Sequence, residues 1–351
     1  MPVPARGCLG NRIRFWLLYL SAVSVAILIA LECAVRLLGV APPLLGYRNV
    51  TDPYLPFRPR PNFVSRAVTK EYECEYRNNS LGFRDVEHAR EKPEGVFRIL
   101  VLGDSFTYGT GVAFEETYAR RLESMLNGRA GRHSTVEVIN AGVYRYFPEA
   151  ERILLERYGV NYSPDLVVVG FLPNDVLDTH LGLDAIKINE SGQLVTRGAV
   201  GSGRLKTFLY SRSHAFRIAY NRFAATRFGG GRNLPLEEVY NPEGIFKHDW
   251  ETVEAEYRKM VSVADKAGAR VVVAHIPHKG PWEERHSYPA VRLGEWSARG
   301  GFVFVDIMPA MKEASRDKSL YYPFDGHCRP AGHEVIAETL FKALERERLV
   351  P

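Results

Sequence analysis

"RILVLGDSFTYGTGV" (Arg98–Val112) is the stretch on which the fold turns. Its first half is a short apolar run, and its second half opens on Gly-Asp-Ser and closes on glycines. That is the pattern of a buried strand running into a turn and a helix. Ser105 then has two readings. A serine at a helix start satisfies orphan N–H groups and needs no further role. A serine at the carboxyl end of a parallel strand also stands where open α/β sheets keep their ligand crevice. The readings part only if partners for a nucleophile stand at other strand ends.

Four more apolar runs follow: "VEVINAG", "DLVVVGFL", "ARVVVAHIP" and "FVFVDI". Between them, residues 117–126, 149–158, 250–267 and 288–298 read as helices, and "PAGHEVIAETLFKALERE" closes the series with apolar positions at helical spacing. Five such units predict one α/β domain over 97–351, a flavodoxin-like, doubly wound parallel five-stranded sheet. One segment breaks the alternation. Residues from about 178 to 247 are too long for an ordinary connection, and include "GAVGSGRL" followed by the aromatic, basic "KTFLYSRSHAFRIAYNRF". This insertion reads equally as a cap over the site or as a peripheral embellishment.

The strand ends carry a consistent set of side chains. The first delivers Asp104 and Ser105, the second Gly142, the third Asn174 and Asp175, and the loop after the fifth Asp325 and His327. Acyl transfer needs these types: a hydroxyl to attack, an imidazole to take its proton, and a carboxylate to fix the tautomer and stabilise the imidazolium. The N–H groups of Ser105 and Gly142, with the Asn174 amide, are candidate oxyanion donors. A side chain at 142 would obstruct the acyl group. Each piece has a plainer reading as cap, turn or loop pair; their order at successive strand ends favours the site. Tyr144 and Tyr146 read equally as sugar-stacking or packed rings, and His278 as a crevice residue. His275 and His278 form H-x-x-H without a third ligand placed by spacing, so no metal is expected, and His333 reads as a packing residue at a helix start. No cofactor motif is present: the Gly-rich turn lacks the Lys-Ser/Thr of a phosphate loop.

"GDSFTYG", "NAGVYRY", "GFLPND" and "DGHCRPAGH" together resemble the four blocks of the SGNH (GDSL-type) hydrolases, over about 97–344. The resemblance implies Ser105 as nucleophile, Gly142 and Asn174 as oxyanion donors, His327 as base and Asp325 as its partner. Much of that family places the aspartate three residues before the histidine, where Phe324 stands here. The D-x-H spacing, the apolar N-terminus and "NSLGFRD" resemble membrane-associated bacterial members, including polysaccharide O-acetyl esterases and O-acetyltransferases. The resemblance implies a serine esterase acting on acylated carbohydrate, cell-envelope or lipid-like esters. A polysaccharide O-acetyltransferase and a catalytically inactive binding or assembly subunit are the alternatives.

Phe15–Leu31 carries no charge, follows Arg6, Arg12 and Arg14, and is continued by apolar residues beyond Glu32. It reads as a transmembrane signal anchor over 15–38, with residues 1–14 cytoplasmic and the catalytic domain periplasmic or otherwise extracytoplasmic; a cleaved signal peptide is the competing reading. Glu32 and Arg36, one helical turn apart, are expected to pair near the far interface. A Pro- and Arg-rich stretch over 39–96 reads as an extended lead-in with aromatics packed on a surface, and "NNSLGFRD" within it as a turn. The net charge of +5 is small and forms no run of Lys or Arg, which argues against nucleic acid as a partner; protein partners through the insertion or anchor stay open. Cys74 and Cys328 would share a compartment that permits a disulfide, and free thiols are the alternative.

Overall fold

A computed structural model describes residues 7–38, 47–128, 135–188, 192–196, 204–227, 236–280 and 282–351. The expected "GAVGSGRL" stretch and the start of the lead-in fall mostly outside them. The chain divides into two compact units. One comprises Leu45–Val200 with Gly231–Pro351, and the other Met1–Leu44 with Gly201–Gly230.

The larger unit holds the five anticipated strands: β1 (Val96–Gly103), β2 (Thr135–Asn140), β3 (Leu166–Phe171), β4 (Arg270–His275) and β5 (Val303–Asp306). All pair in parallel, in the order 2-1-3-4-5, so the sheet is doubly wound with its switch point between β1 and β3. Every residue of the central β3 is buried, as a strand covered on both faces requires. Alternate residues go to opposite cores. Leu100, Leu102, Val167, Val169, Val271 and Val273 join one cluster, and Ile99, Val101, Leu166, Val168, Val272 and Ala274 the other.

In chain order the helices are α1 (Gly7–Leu38), α2 (Ser105–Tyr108), α3 (Tyr118–Asn127), α4 (Pro148–Arg157), α5 (Asn174–Leu181), α6 (Arg204–Arg212), α7 (His214–Arg227), α8 (Lys247–Lys266), α9 (Tyr288–Gly300), α10 (Met308–Ala314) and α11 (Pro330–Arg346). Trp250 and Tyr257 of α8 and Leu154 of α4 fill the first core; Leu122 of α3 with Ile336 and Leu340 of α11 fill the second. Register sets the ends of the strands level, with Gly103 opposite Gly170 and His275 opposite both Phe171 and Asp306. The turns that follow therefore open on one edge.

One expectation is corrected. Residues 47–96 are no surface lead-in: Phe57, Tyr76, Phe83 and Arg84 are at most 3% exposed and belong to the same unit as the sheet. The prolines prevent helix, but a hairpin (Val64–Val68 with Glu73–Arg77) and tight turns still bury every second side chain of its inner strand. The insertion is divided between the two units. Its ends stay with the sheet, as a hairpin (Ile186–Ile188 with Leu194–Thr196) and a short 3-10 turn at Leu236–Tyr240, while α6 and α7 join α1 in the smaller unit.

In that smaller unit α1 is a 32-residue helix whose stretch Arg12–Leu38 has a mean hydropathy of 2.2 over its most apolar window and none of that window buried. It is long and apolar enough to cross a membrane. Glu32 and Arg36 pair as expected, at 2.7 Å, but they also hold the α6–α7 turn. The Glu32 carboxylate accepts from Ser213 Oγ and from the backbone N–H groups of His214 and Ala215, at 2.8–3.0 Å. Arg36 donates to the Arg212 carbonyl at 2.6 Å. An anion thus meets the start of α7 and a cation the end of α6, the favourable sense for both helix dipoles.

Candidate active site

β1 ends at Gly103, and the next residue fills the capping role that one reading gives to Ser105. Asp104 is the N-cap of α2, its carboxylate accepting the Phe106 N–H at 2.8 Å. With the capping role filled, Ser105 occupies the first helical position with its hydroxyl free for other use. Ser105 Oγ lies 2.8 Å from His327 Nε2, and His327 Nδ1 lies 2.5 Å from Asp325 Oδ1.

The two-residue spacing of aspartate and histidine works because of the turn between them. Gly326 has φ +85°, in the left-handed region that favours glycine, and it folds Asp325 back onto the His327 ring. Phe324, at the position where the aspartate more often stands, is 90% exposed. Asp325 is held from its other side by residues that sequence reasoning missed. Tyr72 donates its hydroxyl to Asp325 Oδ2 at 3.1 Å, and Glu71 accepts the Phe324 and Asp325 N–H groups at 3.0 and 2.7 Å. Burial would raise the Asp325 carboxyl, but the hydrogen bond and charge of His327, with the Tyr72 hydroxyl, outweigh it and hold it below the usual carboxylate range.

"NSLGFRD" is a turn, as anticipated, and also a clamp. Gly82 has φ +88°, and a Cβ there would stand 2.1 Å from the Pro59 carbonyl oxygen, so glycine is required. The turn sends Arg84 inward, 1% exposed, where its guanidinium donates to the carbonyls of Tyr108, Gly109 and Val112. Those carbonyls belong to the end of α2 and the loop after it. Asp85 accepts the Asn140 N–H at 2.6 Å, and Asn140 Nδ2 donates to the Thr107 carbonyl at 3.0 Å, tying the end of β2 to the same turn. Only the motif's turn character was legible; its inward arginine had no signal in local spacing.

Asn174 starts α5, and its Nδ2 donates to Asp104 Oδ2 and Asp178 Oδ2 at 3.2 and 3.4 Å. Both contacts are long, which leaves this amide available to a better acceptor. Arg145, with φ +66°, pairs with Asp178 at 2.9 Å. Burial pushes the Asp104 carboxyl up to about 6, against the pull of the Phe106 N–H, Asn174 and His327. Asp104, Ser105, Arg145, Asn174, Asp178, Asp325 and His327, with Phe106, Leu177, Gly326 and His278, line a pocket of about 320 Å³. His278 was anticipated there. Burial, then repulsion from His327 and His275, lowers it to about 4, and it faces Phe106 edge to face.

Three anticipated site residues stand elsewhere. Gly142 does not line the pocket, and its N–H donates to Asn140 Oδ1 at 3.0 Å. Its glycine is explained by close packing rather than by room for an acyl group, since a Cβ would meet Tyr108 N at 2.5 Å. Tyr144 and Tyr146 are 3% and 0% exposed, donate to Asn49 Oδ1 and the Phe57 carbonyl, and pack with Tyr47 and Phe57. They are core rings. Of the H-x-x-H pair, His275 turns to Asp306 at 2.9 Å. His333 accepts the Tyr118 N–H at 3.2 Å, the packing role anticipated. Cys74 and Cys328 are buried free thiols.

The GDSL-like Lipase/Acylhydrolase family matches residues 101–335. No curated protein matches the chain in sequence. Among solved structures, the chain is similar to TesA (15% identity, 72% of this chain and 99% of that one, TM-score 0.44). It is also similar to Axe2, an acetylxylan esterase from Geobacillus stearothermophilus (13%, 70% and 93%, 0.42), and to a G-D-S-L family protein from Desulfitobacterium hafniense (14%, 70% and 99%, 0.41).

Proposed function

Because the chain belongs to the GDSL-like lipase/acylhydrolase family, we propose that it is a serine esterase working through an acyl-enzyme on Ser105, held to a membrane by α1. The observation that carries this is the continuous relay from Ser105 Oγ through His327 to Asp325, at 2.8 and 2.5 Å. Asp325 accepts a hydrogen bond from the Nδ1–H of His327, leaving the Nε2 lone pair directed at the serine hydroxyl. As Oγ attacks the ester carbonyl carbon, its proton passes to Nε2, and the carbonyl oxygen becomes an oxyanion. The Ser105 N–H and Asn174 Nδ2 are its donors in this reading; exchanging two long contacts to carboxylates for one short bond to the oxyanion favours the transition state over the resting site. Collapse expels the alcohol, which takes the proton from Nε2. Water then repeats the sequence on the acyl-enzyme.

The substrate proposed is a short O-acyl group on a hydroxyl-rich carrier, carbohydrate or cell-envelope material. Supporting this, the pocket is small, Phe106 and Leu177 are the apolar side chains among its lining residues, and Arg145, Asn174 and Asp178 offer polar contacts to the alcohol portion. Transfer of the acyl group to a sugar hydroxyl instead of water would use the same intermediate. The deciding experiment is covalent labelling of Ser105 by a fluorophosphonate on the full chain in detergent. Labelling lost in Ser105→Ala and His327→Ala is expected; equal non-reactivity of wild type and both variants would favour a binding or assembly role.

α1 is proposed as an uncleaved anchor with its N-terminus cytoplasmic and the catalytic unit on the far side. Its length and apolarity support this, with Arg12 and Arg14 at its near end. The uncharged run Phe15–Leu31 rises about 25 Å at 1.5 Å per residue, so Glu32 stands near the far edge of the hydrocarbon.

A further inference from the structure

We propose that the α6–α7 pair is a lipid-binding surface that lies in the headgroup layer of the far-side leaflet and takes anionic phospholipid. This rests on the reading of α1 as a membrane span. Three independent observations lead to it. First, Glu32 and Arg36 lie on α1 and hold the α6–α7 turn directly, through four hydrogen bonds of 2.6–3.0 Å. The depth of that turn is therefore fixed to the end of the span.

Second, residues 201–230 contain Arg204, Lys206, Arg212, Arg217, Arg222 and Arg227 and no Asp or Glu. Arg217 is buried, and the other five alone equal the net +5 of the whole chain, so the basic excess is concentrated in this one segment. A segment rich in Lys and Arg, beside a transmembrane helix, is the composition that anionic headgroups attract. Third, the pair exposes bulky apolar side chains beside its charges. Leu205, Phe208 and Phe223 are 70%, 59% and 54% exposed, and Arg212 and Arg222 are exposed with them. In water these rings are costly, whereas at a bilayer interface they enter the acyl boundary while the guanidinium groups stay with phosphate. Inside the pair, Lys206 lies 4.4 Å over the Tyr220 ring and Tyr210 meets Tyr220 edge to face, so the surface is held together by its own contacts.

The test uses the full chain reconstituted in bilayers of phosphatidylcholine, alone or mixed with phosphatidylglycerol, each doped with a photoactivatable diazirine lipid. Labelled peptides are mapped by mass spectrometry, with the buried strand Leu166–Phe171 as the unlabelled reference. Labelling of both α1 and 204–227 is expected, the latter stronger with phosphatidylglycerol. In Arg212→Glu/Arg222→Glu, shown by circular dichroism to be folded, labelling of 204–227 should fall more than about tenfold, from roughly fivefold per charge near an anionic surface. Labelling of α1 without 204–227 would overturn the inference and leave the anchor standing. Labelling of 204–227 that ignores both phosphatidylglycerol and charge reversal would overturn its anionic character. Labelling of neither would remove the span and the inference together.

Discussion

Replacing Asp325 by Asn tests the relay at the link where the sequence departs from the commoner spacing. The substitution keeps the shape of the side chain, leaves one oxygen to serve either His327 Nδ1 or the Tyr72 hydroxyl, 3.1 Å from the second carboxylate oxygen, and removes the negative charge beside His327. That charge matters only once the imidazole has taken the serine proton. A carboxylate and an imidazolium about 4 Å apart attract by about 4 kcal/mol at an effective dielectric constant of 20, and each 1.36 kcal/mol is a factor of ten in rate. The loss expected is therefore about 10³-fold in kcat. A further loss follows wherever the amide turns its NH₂ toward Nδ1, because the imidazole must then carry its proton on Nε2 and cannot accept from Ser105. The assay is steady-state hydrolysis of p-nitrophenyl acetate, with fluorophosphonate labelling as a check independent of substrate binding. Because the charge acts in the transition state, KM should change little while kcat falls. A variant within tenfold of wild type would refute the assignment of Asp325 as partner of His327, and with it the argument built on the Gly326 turn.

Three other outcomes follow from the same contacts. Arg84→Met leaves the carbonyls of Tyr108, Gly109 and Val112 without their buried donor; at about 1–3 kcal/mol for each unsatisfied group, urea denaturation should show a loss of at least about 3 kcal/mol. Tyr144→Phe and Tyr146→Phe should each cost about 1 kcal/mol of stability, the worth of one hydrogen bond, and leave KM for acylated sugars unchanged; a KM raised several-fold with unaltered stability would return these rings to the substrate site. Asp104 is pushed up to about 6 in the folded chain against about 3.9 unfolded. Between those values the folded state holds the extra proton, so this group's contribution to stability falls as pH rises through that window and is level above it. Asp104→Asn keeps the acceptor for the Phe106 N–H and should flatten that part of the stability profile measured by denaturant titration.

What was legible in the sequence was whatever local pattern determines. The five strands were visible because a parallel sheet covered on both faces writes each strand as an uninterrupted apolar run, as "LVVVGF" does in β3. The placing of Ser105 and Asn174 was legible because strand ends are where such a sheet must keep its ligands, whereas Asp325 and His327 lie beyond β5 and α10 and were legible only from their motif. The place of Gly142, and the choice between the two readings of Tyr144 and Tyr146, were illegible for the opposite reason. These residues occupy the same kind of strand end, but the loop after β2 packs against the α2 turn, and whether a residue there faces crevice or core depends on Tyr108 N being 2.5 Å from where a Cβ would stand. No spacing encodes that distance. The region before the sheet was hidden more thoroughly. Its prolines and short turns erase periodicity, and its decisive contacts join Tyr72 to Asp325 and Arg84 to the loop after Ser105. A residue whose partner lies 253 positions along the chain leaves no mark in its own neighbourhood. The division is physical: the sheet lays out nucleophile, base and carboxylate, and a preceding segment of short hairpins and tight turns clamps both ends of the relay, so truncation before Val96 would remove the supports of a site whose four motif residues all remained.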